Sequence, residues 1–191
     1  NSRITGVDET HLLILVGCNP QYENPVLNAR IKKAVDVNGL EVIVIGSAPH
    51  MPYNYTHLGN STETLKQLAD GTHPYSDRLR EAELPMIMTS SLTLERSDAP
   101  AIMNYVNQLQ NNTNLINKEE QWNGFNVLHN DVGRINALEL GITTKTETAV
   151  PSKVVFLLGA DNFRHEEIPE DAFVIYQGHT GDEGALYADL I

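Results

Sequence analysis

The loop after the last apolar run of this chain has the densest set of polar side chains that could do acid–base chemistry. It reads Gln177-Gly-His-Thr-Gly-Asp-Glu-Gly184, so His179 stands three residues before Asp182. A histidine paired with a carboxylate can exchange protons near neutral pH. The three glycines also favour tight turns, in which Asp182 would accept hydrogen bonds from backbone N–H groups. Because no serine or cysteine nucleophile stands at a familiar spacing, the turn is the favoured interpretation.

A second candidate loop, Gly17-Cys-Asn-Pro20, follows the first apolar run. Glycine there would let a phosphate or a ring approach the backbone, and the start of the next helix would favour an anion. The alternative is a plain strand-to-helix turn in which Asn19 bonds its own backbone. The loop is neither Gly-x-Gly-x-x-Gly nor a Walker sequence, so nucleotide binding is the weaker hypothesis. No histidine is committed to Cys18, which disfavours a catalytic thiolate.

The seven histidines do not predict a metal site. His50, His57 and His73 lack the i, i+4 spacing of helical ligand pairs and have no cysteine partners. The segment His165-Glu-Glu is followed by Ile-Pro, which breaks a His-Glu-x-x-His pattern. We therefore expect neither metal ligands nor catalytic residues in this segment.

These loops follow short apolar runs that predict strands of a parallel sheet. The runs are apolar on successive residues, which is typical of burial on both faces. Three of them end directly at Gly17, Gly46 and Gly159, and Asp161 follows the third at a position where α/β folds often contact a ribose or pterin hydroxyl. The predicted strands are His11–Val16, Glu41–Ile45, Met86–Thr89, Val154–Leu158 and Phe173–Tyr176.

Helical spacing of apolar residues predicts four helices between these strands. One begins at Asn24-Pro25 and ends at Asn38-Gly39, one runs from Ser61 to Leu68, one is capped by Ser97-Asp98, and one runs from about Phe125 to Leu140. Residues 48–57 predict an ordered loop, and the polar residues 111–121 a surface connection. Strands and helices largely alternate, so we expect an α/β fold of three layers with a mainly parallel sheet, as one domain over residues 1–191.

Composition excludes several classes of function. The net charge of −12 disfavours nucleic-acid binding, which depends on clustered Lys and Arg. No apolar run approaches the roughly 20 residues that span a bilayer. Cys18 is the single cysteine, so an internal disulfide or a cysteine-ligated iron–sulfur cluster cannot form within this segment. The sequence lacks a first methionine and stops within an apolar stretch, from which we expect part of a larger polypeptide, incomplete at both ends.

Several unusual segments occur together in one order. These are Leu15 to Lys33 (containing Gly-Cys-Asn-Pro and Asn-Ala-Arg-Ile-Lys-Lys), Ile45-Gly-Ser-Ala-Pro49, Tyr53 to Gly59, Asp70-Gly-Thr-His-Pro-Tyr-Ser76, Phe156-Leu-Leu-Gly-Ala-Asp161 and Tyr176-Gln-Gly-His-Thr-Gly-Asp182. In order and approximate spacing they resemble the 75-kDa iron–sulfur subunit of mitochondrial respiratory complex I, the NADH:ubiquinone oxidoreductase. The resemblance extends over essentially the whole chain. The family also continues past the position of Ile191 with a Leu-Pro-Gly-Ala segment.

The resemblance implies the C-terminal molybdopterin-oxidoreductase-like domain of that subunit, with the α/β fold of formate dehydrogenases. It further implies a structural, non-catalytic part of the peripheral arm that supports NADH-to-ubiquinone electron transfer. The 4Fe-4S and 2Fe-2S clusters would then lie in the N-terminal part of the subunit. Expected partners are that cluster-bearing segment and other peripheral-arm subunits, without nucleic acid or direct membrane insertion. The expected place is the matrix side of the mitochondrial inner membrane, or the cytoplasmic side in a bacterium.

Related enzymes use such strand-end loops to cradle a pterin–guanine dinucleotide. The resemblance therefore implies a vestigial groove, with no cofactor expected in it, formed by Gly17, Asn19, Gly46, Gly159, Asp161, Gly178, His179 and Gly181. The chain departs from the family at Cys18, where a small hydroxyl residue is usual, at Gln21, where arginine is usual, and around Asn162-Phe-Arg-His165. Loss of a basic side chain at Gln21 weakens the case for phosphate binding. The alternative function is the cofactor-binding domain of an active molybdopterin-dependent oxidoreductase, whose metal ligand would come from an adjoining segment.

Overall fold

The computed structural model describes residues 2–131, 133–142 and 152–191. It divides into two compact units, Asn1–Asn136 and Ala137–Ile191. The single domain predicted over residues 1–191 stays a prediction. The strands are β1 Leu12–Val16, β2 Glu41–Ile45, β3 Thr56–Gly59, β4 Met86–Ser90, β5 Ile116–Asn117, β6 Trp122–Asn123, β7 Phe125–Leu128, β8 Val154–Leu158 and β9 Phe173–Gln177. The helices are α1 Pro20–Glu23, α2 Pro25–Asn38, α3 Thr62–Asp70, α4 Ser76–Glu81, α5 Ala99–Asn112, α6 Arg134–Glu139 and α7 Glu183–Leu186.

The first unit is built on a five-stranded sheet in the order β3-β2-β1-β4-β7. All four pairings are parallel; Leu13, for example, pairs with Val42 of β2 and with Met86 of β4. The chain adds β2 and β3 on one side of the central strand β1, and then β4 and β7 on the other side. The strand order therefore reverses between β1 and β4, and ligands of open α/β sheets bind outside the carboxyl ends of the strands at such a reversal.

Helices cover both faces of this sheet, so the predicted three-layer α/β fold is confirmed in the first unit. On one face, Leu13 and Leu15 of β1 lie in the same apolar cluster as Leu27 and Ile31 of α2. On the other face, a second cluster combines β1 and β2 with α3, α4 and α5; its members include Leu12, Ile14, Ile43, Leu65, Leu68, Leu79, Ile102, Val106 and Leu109. The continuous burial of β1 and β4 explains why their residues are apolar on successive positions.

Three of the predicted helices are confirmed, and their ends follow local chemistry. Helix α2 begins at Pro25, whose missing N–H costs nothing at the first helical position. It ends where Gly39 adopts a left-handed conformation with φ of 71°. Helix α5 begins after Asp98 as predicted, but Asp98 makes no side-chain capping bond, because its carboxylate is bound by Arg96.

The fourth predicted helix, Phe125 to Leu140, is wrong over its first part. Residues Phe125–Leu128 form β7, which pairs in parallel with Ile87–Ser90 at the edge of the sheet. Gly124 makes this pairing possible, because a Cβ there would stand 2.1 Å from the carbonyl oxygen of Pro85. Among the described residues of this stretch only Arg134–Glu139 is helical, and its Leu138 is exposed. Val132, on the predicted stripe, lies outside the described residues.

The two predicted connections contain more structure than the sequence indicated. Strand β3 begins at Thr56, inside the predicted loop 48–57, and the rest of this loop is anchored by Tyr53, whose hydroxyl donates to Asn28 Oδ1 at 2.8 Å. The surface connection 111–121 contains β5, which forms an antiparallel ribbon with β6. Trp122 of this ribbon is buried, and its indole N–H donates to the carbonyl of Pro85 at 2.9 Å.

The second unit is organised around one pair of parallel strands, β8 and β9, in the register Val154 to Phe173. One face of the pair is packed: Leu157, Val174 and Tyr176 form a small buried cluster. On the other face of β8, Phe156 is 61% exposed. Both strands were predicted, although burial on both faces was not found for them in this unit.

Candidate functional site

A cavity of about 580 Å³ opens at the carboxyl ends of β1 and β2, beside the starts of α3 and α5. It lies at the reversal of strand order, where an α/β sheet is expected to bind a ligand. We call it the strand-end cavity. Its polar lining and its glycines are Gly17, Asn19, Glu23, Gly46, Ser47, Asn60, Ser61, Thr62, Thr93, Arg96 and Asp98. Gly17, Asn19 and Gly46, predicted from the sequence as groove residues, are therefore brought together here.

Gly17 is required by the packing of two loops against each other. Its φ is 58°, and a Cβ there would lie 2.6 Å from the hydroxyl oxygen of Thr93. That hydroxyl donates a hydrogen bond to the Gly17 carbonyl. Thr89 likewise donates to the carbonyl of Val16 at 3.0 Å. These bonds join the end of β1 to β4 and to the loop that follows β4. Gly17 is therefore needed for this close packing.

Asn19 acts as the cap of the short helix α1. Its side-chain oxygen accepts from the N–H of Gln21 at 3.1 Å, and its own N–H donates to Glu23 Oε1 at 2.6 Å. The second oxygen of Glu23 is buried without a hydrogen-bond partner among the described residues, as is Oε1 of Gln21. The turn interpretation of Gly17-Cys-Asn-Pro20 therefore fits the hydrogen bond that the side-chain oxygen of Asn19 accepts.

Cys18 is a buried residue of the cavity lining, and its thiol donates to the carbonyl of Met88 at 3.4 Å. Burial raises the pKa of this thiol far above its ordinary value, and the nearby Glu23 carboxylate raises it further. Since only the thiolate is an effective nucleophile, this environment opposes the chemistry of a reactive cysteine.

Arg96 and Asp98 form a bidentate ion pair at the cavity. The Nε and one terminal nitrogen of Arg96 donate to the two carboxylate oxygens of Asp98 at 2.8 and 2.9 Å. The hydrogen bond from Arg96 lowers the pKa of Asp98, and the same bond raises the pKa of Arg96. The only cation that the described residues contribute to the cavity lining thus has its charge matched by a carboxylate of the same loop.

Sequence reasoning missed several lining residues, among them Thr93, Arg96 and Asn60. Thr93 and Arg96 follow β4, a predicted strand, and the rule that ligands lie at strand ends could have pointed to that loop. Asn60 follows β3, which was not predicted, so nothing in the sequence marked it.

In the second unit, Asp161 is bound by groups from two later elements, β9 and α7. One carboxylate oxygen accepts from the N–H of Gly184 at 2.8 Å, and the other lies 3.4 Å from the hydroxyl of Tyr176. Burial raises the pKa of Tyr176, and the carboxylates of Asp161 and Asp182 add to that effect. Asp161 therefore has partners within the chain that account for its position.

The glycines of this region pack closely around Tyr176. A Cβ on Gly178 would stand 2.4 Å from the Tyr176 hydroxyl, and one on Gly184 would stand 2.7 Å from its ring. Gly159, with φ of 56°, donates its N–H to the carbonyl of Gln177 at 2.8 Å. The local structure thus explains why glycine stands at positions 159 and 178, two of the three predicted groove glycines of this unit. A Cβ at Gly181, the third, would meet no other group within 4 Å.

The candidate acid–base pair of His179 and Asp182, which the sequence disfavoured, is not formed in this structure. His179 is exposed, and Asp182 instead accepts a hydrogen bond from the hydroxyl of Thr180. The favoured turn interpretation fits this geometry. That all eight predicted residues form one groove stays a prediction, because three lie in the first unit and five in the second.

Three other histidines have partners within their own unit. His57 Nε2 is 2.7 Å from the carbonyl oxygen of Gly46, and His73 Nδ1 accepts from the N–H of Tyr75 at 3.1 Å. His165 stacks on Tyr187 with ring centroids 4.7 Å apart. Within residues 2–131, 133–142 and 152–191, no three His, Cys, Asp or Glu side chains are grouped as metal ligands would be.

The chain belongs to the molybdopterin oxidoreductase family, whose sequence profile matches residues 1–191. This agrees with the mainly parallel sheet flanked by helices and with a cavity at its strand ends.

Curated relatives of the chain are named as NADH dehydrogenase or NADH-ubiquinone oxidoreductase proteins. The chain is 38% identical over 191 residues to the mitochondrial NADH-ubiquinone oxidoreductase 78 kDa subunit of Candida albicans. It is 36% identical over 192 residues to the mitochondrial NADH dehydrogenase (ubiquinone) iron-sulfur protein 1 of Solanum tuberosum, and 37% identical over 198 residues to the NADH-ubiquinone oxidoreductase 75 kDa subunit of Reclinomonas americana. Each match covers 100% of this chain but only 26 to 28% of the relative, so the chain spans about a quarter of their length. The predicted resemblance to the complex I iron–sulfur subunit is confirmed.

A solved structure shares the fold at low sequence identity. It is the formyltransferase/hydrolase complex of Methylorubrum extorquens, solved with methylofuran, one chain of which aligns with a TM-score of 0.55 and 12% identity. The alignment covers 100% of this chain and 64% of that one. At this identity the match supports the fold and nothing further.

Proposed function

We propose that this chain is a non-catalytic structural domain of the large iron–sulfur subunit in the peripheral arm of respiratory complex I. The observation that supports it best is the identity of 36 to 38%, extending over the whole chain, to mitochondrial NADH dehydrogenase subunits. In this proposal the domain packs against the cluster-bearing part of its own subunit and against neighbouring subunits. The 4Fe-4S and 2Fe-2S clusters lie in the N-terminal part, and NADH-to-ubiquinone electron transfer passes through them.

The lining of the strand-end cavity does not fit the phosphate groups of a pterin dinucleotide. A diphosphate needs free cations or several donors that offset its charge. Arg96 is the only cation among the described lining residues and is bidentate on Asp98, while Glu23 adds a further negative charge. Gln21, where the family usually has arginine, supplies no charge. We therefore assign no reaction step to such a cofactor in this chain.

The proposed location is the matrix side of the mitochondrial inner membrane, or the cytoplasmic side in a bacterial host. Relatives from Candida albicans and Solanum tuberosum are named as mitochondrial proteins. In the part of the chain that the structure describes, no helix is both long and apolar enough to cross a membrane. Attachment to other peripheral-arm subunits would then place the domain beside the membrane.

Metal and pterin content distinguishes this proposal from the alternative, an active molybdopterin-dependent oxidoreductase. The full-length subunit, purified with the proteins it assembles with, is analysed for molybdenum and tungsten by mass spectrometry and for pterin by fluorescence after oxidation. We expect iron and labile sulfide without stoichiometric molybdenum, tungsten or pterin. One molybdenum or tungsten per subunit would overturn the structural proposal.

A second measurement tests the proposed partners. An epitope-tagged copy of the full-length subunit is followed on native gels that are stained for NADH dehydrogenase activity. We expect the tag to migrate with that activity. Migration of the tag entirely apart from it would contradict assignment to complex I.

A further inference from the structure

The second unit exposes an apolar face on its pair of parallel strands. Five apolar side chains lie on this side and are between 49 and 68% exposed; they are Val154, Phe156, Leu158, Phe173 and Leu190. The strand register places them together, because Phe173 pairs with Val154. Leu190 joins them through a parallel bridge with Ile175, the next residue of β9 on this side. We call these five side chains the open face.

A parallel sheet is normally covered on both faces, and in the described part of the second unit only one face of this sheet is packed. Leu157, Val174 and Tyr176 fill that opposite side as a buried cluster. Strand β8 is apolar on five successive residues, which is the pattern of a strand buried on both faces. A contiguous exposed apolar surface of this kind marks an interaction site. We therefore expect a further element to cover the open face.

The dimensions of the open face fit one helix. The five residues of β8 extend about 16 Å, at about 3.3 Å per residue. Three turns of α-helix have the same length, at about 5.4 Å per turn. In the other direction β8, β9 and the bridge at Leu190 together span about 10 Å, which is about the diameter of a helix. A strand added to the outer edge of β8 would leave the open face exposed, so a helix is the better occupant.

The charge of this region selects a basic occupant. Residues 152–191 contain eight Asp and Glu but only two Lys and Arg, a net side-chain charge of −6. Asp171 and Asp189 are exposed and stand next to the segments that form the open face. The two cations are Lys153, before β8, and Arg164, in the loop after it. A second copy of this chain would bring the same negative charge to the contact, and like-charge repulsion opposes such a pairing.

We propose that the open face docks an amphipathic helix from a part of the same subunit outside residues 1–191, with Lys and Arg on both flanks of its apolar side. The relatives are the reason for this source, because the chain spans only 26 to 28% of their length and most of such a polypeptide lies outside this segment. The proposal rests on the structural role proposed above and names the contact through which that role is carried out.

A site-specific cross-link tests the occupant. In the full-length subunit, purified with the proteins it assembles with, Phe156 is replaced by the photo-reactive amino acid benzoylphenylalanine, and the cross-linked peptide is identified by mass spectrometry. We expect a segment of the same subunit outside residues 1–191, with apolar residues at i, i+3, i+4 and i+7 and Lys or Arg beside them. The same replacement at Leu92, 56% exposed in the first unit, is the control and should not reach that segment.

Several outcomes of the cross-link would overturn the proposal. They are a product with another subunit, with a second copy, with residues 1–191 or with a segment that lacks Lys and Arg, the same product from both positions, and no protein product from position 156. A product with another subunit would show that the open face is an interface between subunits instead.

Two synthetic peptides test the charge preference on the 191-residue chain. Both have 18 residues with Leu at i, i+3, i+4 and i+7, and the other positions are Lys in one and Glu in the other. Titration calorimetry should show the Lys peptide binding at least about tenfold more tightly than the Glu peptide. Leu158→Ser should weaken the Lys peptide at least about tenfold, and Leu92→Ser should leave it unchanged.

Equal affinity for the two peptides, or undiminished binding of the Lys peptide to Leu158→Ser, would contradict the proposed charge and place of docking. The metal content and the migration on native gels, which test the proposed function, do not depend on any of these results. Failure of the docking proposal and failure of the proposed function are therefore distinguishable.

Discussion

The carboxylate of Asp161 accepts a hydrogen bond from the backbone N–H of Gly184 at 2.8 Å, across 23 residues of sequence. Its other oxygen lies 3.4 Å from the hydroxyl of the buried Tyr176. From the sequence, Asp161 stood at a strand end where α/β folds bind a ribose or pterin hydroxyl. In the folded chain the same carboxylate joins the loop after β8 to the start of α7, and so has a structural role of its own.

The first prediction concerns this hydrogen bond. Asp161→Ala removes the acceptor of the Gly184 N–H, and a partly buried donor left without a partner costs about 1–3 kcal/mol. Hydrogen exchange of the Gly184 amide should therefore be faster in the variant, by about tenfold or more. Amide exchange followed by NMR on the full chain measures this directly.

Asp161→Asn is the matched control, because its amide oxygen can still accept the bond. Exchange at Gly184 in this variant should stay closer to wild type than in Asp161→Ala. If Asp161→Ala left the Gly184 amide as protected as in wild type, the structural role of Asp161 would be refuted.

The second prediction separates backbone strain from steric contact at two glycines. Gly17 and Gly39 both have positive φ, 58° and 71°, but only at Gly17 would a Cβ meet another group, Thr93 Oγ1 at 2.6 Å. Gly39→Ala should cost about 1–2 kcal/mol in the free energy of unfolding, from the left-handed conformation alone. Gly17→Ala should cost at least about 1 kcal/mol more, as measured by urea denaturation.

A double-mutant cycle tests the cause of that difference. Thr93→Ala removes the hydroxyl and methyl groups that the new Cβ at Gly17 would meet. The combined variant should therefore be less destabilised than the sum of the two single changes, by about 1 kcal/mol. Strict additivity would show that steric contact with Thr93 is not the source of the cost.

The third prediction concerns Cys18 and pH. Burial, reinforced by Glu23, raises the pKa of the folded-state thiol far above the value of about 8.5 in an unfolded chain. Above that pH the unfolded state loses the thiol proton while the folded state retains it. Stability that is fully present below pH 8.5 is therefore lost as pH rises.

The Cys18→Ala variant isolates this contribution. Between pH 8 and pH 9.5 the free energy of unfolding of wild type should fall by about 1 kcal/mol more than that of Cys18→Ala. Urea denaturation at several pH values in this range gives the comparison. Parallel pH dependences in the two proteins would mean that Cys18 ionises as readily in the folded chain as in the unfolded chain.

The sequence predicted the framework of the fold well where burial was complete. The runs at β1, β2 and β4 are apolar on successive residues because helices cover both faces of the first-unit sheet. Phe125–Leu128 was assigned to a helix because its apolar spacing fits both structures. The segment is a strand because it pairs with β4, and the close approach of Gly124 to the carbonyl oxygen of Pro85 makes this pairing possible. Such a long-range contact leaves little signal in a local pattern.

Prediction of the candidate site was less complete for a related reason. Gly17, Asn19 and Gly46 were found from the ends of predicted strands, and all three line the cavity. Arg96 and Asn60 come from loops whose position depends on how β3 and α5 pack. The partners of Asp161, Tyr176 and Gly184, could not be inferred either, since the closing of that loop is decided by packing rather than by residue type.

The fourth prediction follows from the proposed function and concerns His179. This side chain is exposed, and Asp182, its candidate partner, accepts a hydrogen bond from Thr180 instead. His179→Ala should therefore leave NADH:ubiquinone turnover of the assembled complex within about twofold of wild type and the stability within about 0.5 kcal/mol. A large loss of turnover in a fully assembled complex would contradict a non-catalytic role for this loop.

The last prediction compares two neighbouring leucines of β8 that face opposite sides. Leu157 is 7% exposed and packs in the small core of the second unit, whereas Leu158 is 68% exposed. Leu157→Ala should destabilise the chain by about 2–5 kcal/mol through lost burial and the cavity it leaves, and reduce the amount of assembled complex. Leu158→Ala should leave the folding stability within about 0.5 kcal/mol of wild type.

Complexes that do assemble with Leu157→Ala should oxidise NADH at the wild-type rate per complex, because the change acts on folding alone. If complexes with Leu157→Ala assembled in normal amount but oxidised NADH slowly, this core would instead contribute to electron transfer.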